Sequence, residues 1–479
     1  MHDMMTLQQV SDWLGAPPRL GASRAAAALA IGRVHTDSRT IEPGDLFVAL
    51  RGERFDANDF LMQAQARGAV AAICQGDAAT RLDAAGLPGL IVADVKAALG
   101  QLARRWRAQF RLPLIAVTGS NGKTTVTQMI AAILRAYKPQ AFLATQGNFN
   151  NDIGVPLTVL RLRSNHQIAV VELGMNHPGE IAALAAVAQP SVALINNAQR
   201  EHLEFMNSVA AVAQENGAVI DALDANGIVV LPAEDDYCSL WAARAAPRRV
   251  LRFCATTQAS VQAEVRCLQA TWSDGAWQVQ AQTGAGPLRY TVHSAGWHNV
   301  KNSLAAATAA WAAGVPAEAI ALGLSQFEAV SGRTRSLALT LGVHRLTLVD
   351  DSYNANPDSV QAAIELLATL PAPRLLLLGD MGEVGDQGHQ FHVEAGHSAR
   401  AGGIEALFTL GNLSAAAAAS FGSGRHFADV QSLQQALLAE LPSVRSVLVK
   451  GSRFMHMERL VQAIVAQAAA TPEPGSAAC

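Results

Sequence analysis

The pattern of apolar and polar positions changes its period at one short segment near the end of the first quarter of the chain. Residues 114–117 form a continuous apolar run, which is typical of a strand buried in a parallel sheet. A glycine-rich turn follows, and apolar residues then recur every three or four positions, the spacing of one helical face. These helical positions are Val126, Met129, Ile130, Ile133, Leu134 and Tyr137. The segment therefore predicts a strand, a tight turn and an amphipathic helix.

The same alternation of apolar runs and helical stretches continues through a central domain, which we place at residues 111–327. Parallel strands with right-handed crossovers are predicted at 114–118, 168–172, 191–196 and 227–231. Short runs of alternating polarity predict antiparallel strands on one side of this domain, at 261–268, 276–282 and 288–292. Helices are expected at 298–313 and 316–326. The central domain is thus predicted to be a parallel-sheet domain with a short antiparallel side sheet.

Two further α/β domains are predicted on either side of the central one. Residues 1–110 form a small domain, with strands at 45–50, 69–73 and 90–93 and a helix at 97–109. Residues 328–470 form a Rossmann-like domain, with strands at 337–349, 374–378, 404–410 and 446–450. Residues 471–479 are small, polar and rich in turn formers, which predicts a disordered tail. The predicted fold class is therefore α/β with three domains.

Composition narrows the choice of partners and compartment. The 479 residues carry a formal net charge of −3 and contain no long basic run, which argues against nucleic acid as a main partner. No apolar run approaches the ~20 residues of a membrane span, and the first residues lack an apolar signal core. The five cysteines are scattered and form no CxxC pair, which fits a reducing compartment. We expect a cytoplasmic protein, without membrane insertion, that acts as a monomer.

The turn after the first central strand has the chemistry of a phosphate-binding loop. Gly119 and Gly122 lack a Cβ atom, so backbone N–H groups can turn inward around an anion at the start of a helix. Lys123 would place a positive charge on the terminal phosphates of ATP, and the Thr124 hydroxyl would bind Mg²⁺. The common phosphate loop separates its glycines by four residues, whereas two separate them here. The alternative is a purely structural strand-to-helix loop that happens to carry a lysine.

Polar residues follow several other predicted strands, at the edge where α/β sheets bind ligands. Glu172 ends an apolar strand, and a carboxylate there needs a cation such as Mg²⁺. His202 follows the next strand and is a candidate metal or phosphate ligand. Arg333 lies at a predicted domain junction, from which it could reach a γ-phosphate when domains close. Each has a plainer alternative: a salt-bridged or capping Glu172, a structural His202 and a surface ion pair for Arg333.

Taken together, the motifs resemble those of the Mur ligase family over nearly the whole chain. They are, in chain order, TDSRTIEPGDLFVAL, TGSNGKTT, GNFNNDIGVP, VELGMNHPGEI, HNVKNSLAA, DSYNANPDS, LLGDMGEVG and LVKGSR. The resemblance implies an N-terminal domain that binds a UDP-sugar, a central ATPase domain and a C-terminal ligase domain. ATP would phosphorylate the terminal carboxylate of UDP-MurNAc-tripeptide, and the amine of D-alanyl-D-alanine would attack the acyl phosphate. Mg²⁺ would assist, and the work would belong to peptidoglycan precursor synthesis.

The resemblance also implies roles for individual residues. The catalytic residues would be Lys123, Glu172, His202 and Arg333. The ATP-binding residues would be Thr118, Gly119, Ser120, Asn121, Gly122, Lys123, Thr124, Thr125, His298, Asn302, Arg333 and Asp351. The substrate-binding residues would be Thr36, Ser38, Arg39, Asn148, Asn150, Tyr353, Asn354, Lys450, Ser452 and Arg453. The metal ligands would be Thr124, Glu172 and His202.

Two positions depart from the family pattern. Many relatives carry a lysine, carbamylated in some, that binds a second Mg²⁺, and Asn216 stands at that position here. Glu215 beside it, or a water molecule, could take over that function. Asn58 stands where relatives often have a histidine in the UDP-sugar domain. Three alternative functions stay open: another ligase of the Mur or folylpolyglutamate synthetase type, an ATP-binding module that ligates nothing, and a simple kinase that makes ADP without needing an amine.

Overall fold

The computed structural model describes residues 3–19, 27–52, 55–256, 261–273 and 275–470. The tail predicted to be disordered, residues 471–479, lies outside the described residues. The three largest sheets of the described chain follow one another in sequence, and each is built mainly from parallel strands. The architecture is therefore α/β, as the sequence predicts.

The first sheet is small and wholly parallel. Its four strands lie in the order β3-β4-β5-β6, and a two-stranded antiparallel pair, β1 and β2, precedes it. The elements are β1 (Met5–Thr6), α1 (Leu7–Leu14), β2 (Ala30–Ile31), β3 (Arg33–His35), β4 (Asp45–Val48), α2 (Leu61–Ala66), β5 (Ala71–Gln75), α3 (Ala79–Ala85), β6 (Gly89–Val92) and α4 (Val95–Arg107). The short, partly exposed β3 is not among the predicted strands.

The helix α4 joins this sheet to the next one. Its buried apolar residues belong to the hydrophobic cluster that also covers one face of the central sheet. The Trp106 indole N–H donates to the carbonyl of Leu162 at 3.1 Å, and the Arg107 guanidinium donates to the carbonyl of Ala188 at 2.9 Å. Hydrogen bonds and apolar burial therefore fix the first sheet against the second.

The central sheet has nine strands in the order β15-β14-β13-β12-β11-β10-β7-β9-β8. Its first half comprises β7 (Leu114–Thr118), α5 (Lys123–Tyr137), β8 (Phe142–Ala144), α6 (Gly154–Val159), β9 (Ile168–Glu172), α7 (Glu180–Ala188) and β10 (Val192–Ile195). The second half comprises α8 (Leu203–Met206), α9 (Val209–Gly217), β11 (Ile228–Pro232), α10 (Cys238–Ala245), β12 (Arg249–Cys254), β13 (Val265–Ser273), β14 (Ala276–Thr283), β15 (Gly286–Val292), α11 (Trp297–Ala312) and α12 (Ala317–Ser325).

The antiparallel strands β13–β15 extend the parallel sheet rather than forming a separate one. The link is β12, which pairs in parallel with β11 and briefly with β13. The strand predicted at 261–268 is β13 and begins at Val265, so its predicted start was wrong. Neither β8 nor β12 is among the predicted strands: β8 is only three residues long, and two arginines interrupt the apolar run of β12.

The third sheet has six strands in the order β16-β17-β21-β18-β19-β20, all parallel except β16. Its elements are β16 (Arg335–Leu341), β17 (His344–Asp351), α13 (Pro357–Ala368), β18 (Arg374–Gly379), α14 (Gly388–Ala401), β19 (Ala406–Leu410), α15 (Ala415–Phe421), β20 (Arg425–Phe427), α16 (Val430–Glu440), β21 (Ser446–Lys450) and α17 (Glu458–Ala470). The single strand predicted at 337–349 is wrong. A tight turn at Gly342, with φ +64°, folds that run into the β16–β17 hairpin.

The core of the central sheet explains why its strands can be predicted from the sequence. Alternate residues of β7 point to opposite faces: Leu114 and Ala116 enter one hydrophobic cluster, while Ile115 and Val117 enter the other. Both faces are covered by helices, so all five positions of the strand are buried, and the first four are apolar. Within the described residues, no helix is long and apolar enough to cross a membrane, and Cys74, Cys238, Cys254 and Cys267 are free thiols.

Close helix packing beneath the phosphate loop gives a stability prediction. A Cβ atom on Gly323 of α12 would lie 2.3 Å from the Cα atom of Ile133 in α5, which is rigid backbone. We expect Gly323→Ala to lower the free energy of unfolding by about 1–3 kcal/mol, because the two helices must separate. Gly100→Ala in α4 is the control, since its Cβ would meet only Val187 at an ordinary 3.8 Å. Chemical denaturation checks both, and an equal effect of the two changes would contradict the packing argument.

Candidate functional site

A cleft of about 1220 Å³ lies between the central sheet and the C-terminal sheet. The loop before α5, the ends of β9 and β10, and the start of α11 line one side. The loop before β16, the segment after β17 and the segment after β21 line the other side. The carboxyl ends of parallel strands thus face the cleft from both domains, as expected for a ligand site in α/β sheets.

The loop between β7 and α5 is held in place by amide side chains. Gly122 has φ +80°, and a Cβ atom there would lie 2.5 Å from Asn302 Oδ1 and 2.7 Å from Asn196 Nδ2. Asn196 Nδ2 donates to the Asn121 carbonyl at 2.8 Å, and the Asn121 backbone N–H donates to Asn197 Oδ1 at 2.8 Å. Only glycine fits at position 122, because both its backbone angle and its surroundings exclude a side chain.

Lys123 begins α5 and points back over its own loop. Its Nζ donates to the carbonyls of Gly119 at 2.7 Å and Ser120 at 2.8 Å. It also contacts both carboxylate oxygens of Glu201, at 2.9 and 3.2 Å. The lysine side chain is 12 % exposed and the glutamate side chain 8 %. Sequence reasoning did not select Glu201, although an acidic residue directly before the candidate His202 was a signal for it.

Thr124 and Glu172 meet on the other side of the loop. The Thr124 hydroxyl donates to Glu172 Oε1 at 3.0 Å, and Asn150 Nδ2 donates to the same oxygen at 2.7 Å. The second oxygen, Oε2, is buried and has no hydrogen-bond partner. A buried carboxylate oxygen without a partner is costly, and a hydroxyl beside it completes an oxygen donor set that suits Mg²⁺. The residues at this point therefore fit a divalent cation.

His202 lies between two carboxylates in this arrangement. Its Nε2 is 3.4 Å from Glu201 Oε1, and its Nδ1 is 2.5 Å from Glu383 Oε2, which belongs to the C-terminal domain. Burial would lower the pKa of His202, but Glu201 and Glu383 outweigh it and raise that pKa to about 9. In this arrangement His202 connects the central domain to the C-terminal domain through the two carboxylates. The described residues contain no preformed cluster of three or more His, Cys, Asp or Glu that could hold a metal ion.

Asn216 stands at the position where many relatives have the lysine, and a hydrogen bond holds its side chain. Asn216 is fully buried, and its Oδ1 accepts from the Thr118 hydroxyl at 2.7 Å. Glu215 was considered as a substitute for the lysine, and this is wrong. Its carboxylate caps the start of α7 by accepting from the backbone N–H groups of Gly179 at 2.9 Å and Ile181 at 2.8 Å.

Arg333 lies in the cleft wall contributed by the C-terminal side. Its guanidinium stacks over the ring of Tyr353 at 4.2 Å, and the guanidinium of Arg453 lies 5.5 Å from the same ring. One aromatic ring therefore orients two cations in the cleft, a geometry in which the ring quadrupole attracts both guanidinium groups. Asn354 also lines the cleft. The sequence placed Arg333, Tyr353 and Arg453 at the site separately, without this stacked arrangement.

The predicted nucleotide residues beyond the loop form a chain of contacts. His298 Nε2 lies 3.3 Å from the Thr334 hydroxyl, which donates to Asp351 Oδ1 at 3.1 Å. Lys450 Nζ contacts Asp351 Oδ2 at 2.5 Å, and the lysine is only 2 % exposed. Burial lowers the pKa of His298, so its neutral form is favoured. Lys450 therefore holds Asp351, and its ammonium is already paired within the C-terminal domain.

The remaining predicted residues fall into two groups. Those that line the cleft are Ser120, Asn121, Thr125, Asn148, Asn150, Asn302 and Ser452. The candidate UDP-sugar residues Thr36, Ser38 and Arg39 are not among its lining residues. The Ser38 hydroxyl donates to Gln63 at 2.9 Å, and Arg39 pairs with Asp37 at 2.7 Å. Asn58 is buried and donates to the carbonyl of Gln75 at 3.3 Å.

Comparison with known proteins places this geometry in a family. Family models match three consecutive parts of the chain: the Mur ligase family catalytic domain at residues 30–107, the Mur ligase middle domain at 117–310, and the Mur ligase glutamate ligase domain at 336–453. The UDP-N-acetylmuramoyl-tripeptide–D-alanyl-D-alanine ligase of Escherichia coli K12 is 38 % identical over 96 % of this chain and 98 % of its own length. The chain belongs to the Mur ligase family.

Solved structures give the same assignment for the fold of this Mur ligase. A crystal structure of MurF from Acinetobacter baumannii has a TM-score of 0.86 at 32 % identity and covers 96 % of this chain and 98 % of its own. A MurF ligase of Thermotoga maritima, solved in complex with ADP, has a TM-score of 0.78 at 23 % identity, over 92 % of this chain and 98 % of its own. The Mur ligase fold therefore extends over almost the whole chain.

An ion pair holds the two walls of the cleft together. Arg200, which follows β10, contacts Asp358 at the start of α13 through its backbone N–H at 2.7 Å, Nε at 3.0 Å and Nη2 at 2.8 Å. Asn356 Nδ2 also donates to Asn121 Oδ1 at 2.9 Å, so the phosphate loop itself contacts the C-terminal domain. These contacts bind the C-terminal domain directly to the elements that carry the loop.

This ion pair generates a prediction about domain closure. We expect Asp358→Asn to open the cleft, because it removes the charge that three N–H groups of Arg200 share. Small-angle scattering should then report a larger radius of gyration without unfolding. Glu405→Gln is the matched control. This substitution removes the same charge, but Glu405 pairs with Arg374 inside the C-terminal domain. Equal radii for Asp358→Asn and the parent protein would contradict a role for this pair in closure.

Proposed function

We propose that this protein is an ATP-dependent ligase that joins D-alanyl-D-alanine to UDP-MurNAc-tripeptide and releases ADP and phosphate. The observation that carries the proposal is the convergence of cations from two domains, Lys123 and Arg333, on one cleft that carries a phosphate loop. The proposed substrates are those in the name of the Escherichia coli relative. The product would be the pentapeptide precursor used in cell-wall synthesis.

The proposed reaction requires charge neutralisation more than any single acid or base. A carboxylate is a poor electrophile at neutral pH, and transfer of the γ-phosphoryl group converts it to an acyl phosphate with a good leaving group. The triphosphate and the carboxylate repel each other, so positive groups must lie where their charges meet. Lys123 would contact the terminal phosphates, since it lines the cleft at the loop, and Arg333 lines the same cleft from the opposite wall. The amine then attacks the acyl carbon, and phosphate leaves.

We propose that Mg²⁺ accompanies ATP at this loop. Thr124 and Glu172 would hold it, because the hydroxyl and the unpartnered Oε2 atom supply the oxygen ligands that a small hard cation takes together with phosphate and water. When bound, the metal ion neutralises developing negative charge on the transferred phosphoryl group. Asn150 orients the Glu172 carboxylate by donating to its other oxygen.

The remaining substrate contacts follow the same logic. His298 and Asn302 would contact adenine and Asp351 the ribose, since all three line the cleft beyond the phosphate loop. Tyr353, Asn354 and Arg453 would receive the dipeptide, because a guanidinium stacked on an aromatic ring suits a terminal carboxylate. Thr36, Ser38 and Arg39 would bind the UDP group in the N-terminal domain. We propose that the enzyme works as a monomer in the cytoplasm.

Phosphate release tests the proposed reaction. We expect release only when ATP, UDP-MurNAc-tripeptide and D-alanyl-D-alanine are present together, with diaminopimelate and lysine tripeptides compared side by side. Mass spectrometry should find the tripeptide enlarged by the dipeptide less one water. Lys123→Ala is the control, with turnover abolished and circular dichroism unchanged. Release with a folate and glutamate in place of these substrates, or release without any amine, would contradict the proposal.

Arg333 provides a sharper test of domain closure in catalysis. We expect Arg333→Ala to lower kcat by about 100-fold or more, because it removes a cation directed at transition-state charge, while the Kd for ATP changes only a few-fold. Arg335→Ala is the control, since Arg335 is exposed and does not line the cleft. Equal losses in kcat and ATP affinity would identify Arg333 as a simple binding contact.

A further inference from the structure

The ammonium of Lys123 has no hydrogen-bond donor left for a phosphate. An ammonium group has three N–H donors. Here Nζ contacts the carbonyls of Gly119 and Ser120 at 2.7 and 2.8 Å and the Glu201 carboxylate at 2.9 and 3.2 Å. The two carbonyls belong to the backbone of the loop, so they remain beside the ammonium when a ligand binds. A phosphate can therefore reach the lysine only by taking the place of Glu201.

Glu201 cannot move into water without rearrangement. The residue is 6 % exposed, and its backbone N–H donates to the carbonyl of Gln199 at 2.9 Å. Its other basic neighbour is His202, whose Nε2 lies 3.4 Å from the carboxylate and whose Nδ1 is paired with Glu383. After a phosphate takes Lys123, the Glu201 carboxylate stays beside the phosphate and repels it.

The opposite side of the loop adds to this repulsion. Glu172 is 1 % exposed, and its Oε1 lies 3.0 Å from the hydroxyl of Thr124, the residue after Lys123. Two buried carboxylates therefore flank the loop on which a single lysine meets the phosphates. A nucleotide without a metal ion brings several negative charges into this setting, whereas a nucleotide bound to a divalent cation brings far fewer.

We propose that Glu201 is a specificity-determining residue that makes nucleotide binding depend on a divalent cation. Its carboxylate competes with the phosphates for Lys123, so the loop rejects metal-free nucleotide and accepts the metal complex. Glu201 would not act as a metal ligand in this proposal, because its carboxylate affects nucleotide binding by pairing with Lys123. This inference rests on the proposed nucleotide function and adds to it a residue that sets which form of the nucleotide binds.

Calorimetric titration with ATP, once in MgCl₂ and once in EDTA, tests the proposal. The quantity compared is the ratio of Kd in EDTA to Kd in MgCl₂. We expect Glu201→Gln to lower this ratio at least about fivefold, mainly through tighter binding in EDTA, since one unit charge at ~4 Å has that effect even in water. Glu201→Asp keeps the charge and should keep a ratio close to that of the parent protein.

Two controls separate this effect from general changes of charge or fold. Glu204→Gln removes the same charge from an exposed side chain three residues later that does not line the cleft, and its ratio should equal the parental one. Glu201→Ala is a second charge-free variant, and thermal unfolding reports whether each variant is folded. An unchanged ratio in the folded charge-free variants, or weaker binding in both buffers, would overturn the proposal and leave Glu201 as a structural partner of Lys123.

The titration also separates this proposal from the proposed ligase reaction. A lowered ratio in Glu201→Gln together with no phosphate release from any tripeptide would retain the inference and overturn the ligase. Full ligase activity with an unchanged ratio would retain the proposed ligase reaction and overturn the inference about Glu201. Absence of ATP binding to the parent protein in both buffers would overturn the two together.

Discussion

The whole site depends on the close approach of the phosphate loop to the amide side chains beneath it. Asn196 and Asn197 follow β10, and Asn302 lies one turn into α11, so three separate elements meet at Gly122. Each amide offers both donors and an acceptor, which lets a few side chains satisfy the exposed loop backbone. The backbone of the loop is therefore held by side chains from other elements and not by its own residues alone.

The fixed loop determines where the charges must lie. Lys123 follows Gly122 directly. Its ammonium therefore lies over the loop, where it forms a hydrogen bond with the Glu201 carboxylate. From there opposite charges alternate across the domain boundary, from Glu201 to His202 and from His202 to Glu383. Lys123 and Glu201 are both buried, and a buried charge is stable only when it has an opposite neighbour, because removal of one partner leaves the other uncompensated. The arrangement at Lys123 and the contact between the domains are thus parts of one charge balance.

The sequence predicts this fold well where burial is complete and poorly where it is partial. The strands β7 and β9 are buried on both faces, and the continuous apolar run in each sequence indicates this burial. The strand β12 carries Arg249 and Arg252, so its run is broken, although it is the link that joins the antiparallel strands to the sheet. The β16–β17 hairpin was predicted as one strand, because apolar residues recur on both sides of the short turn at Gly342.

The site divides along a similar line. Lys123, Thr124 and Glu172 were predictable because a local motif or a strand end carries their chemistry. Glu201 and Glu383 were not, because their meaning comes from partners 78 and 181 positions away, Lys123 and His202. Glu215 shows the converse: it stands beside the substituted position in sequence, yet its carboxylate faces the start of α7. A charged residue becomes interpretable only when the group that compensates its burial is known, and that group is a product of the tertiary fold. The electrostatic part of this site therefore had to be read from the structure, whereas the loop predicted to bind phosphate could be recognised in the sequence.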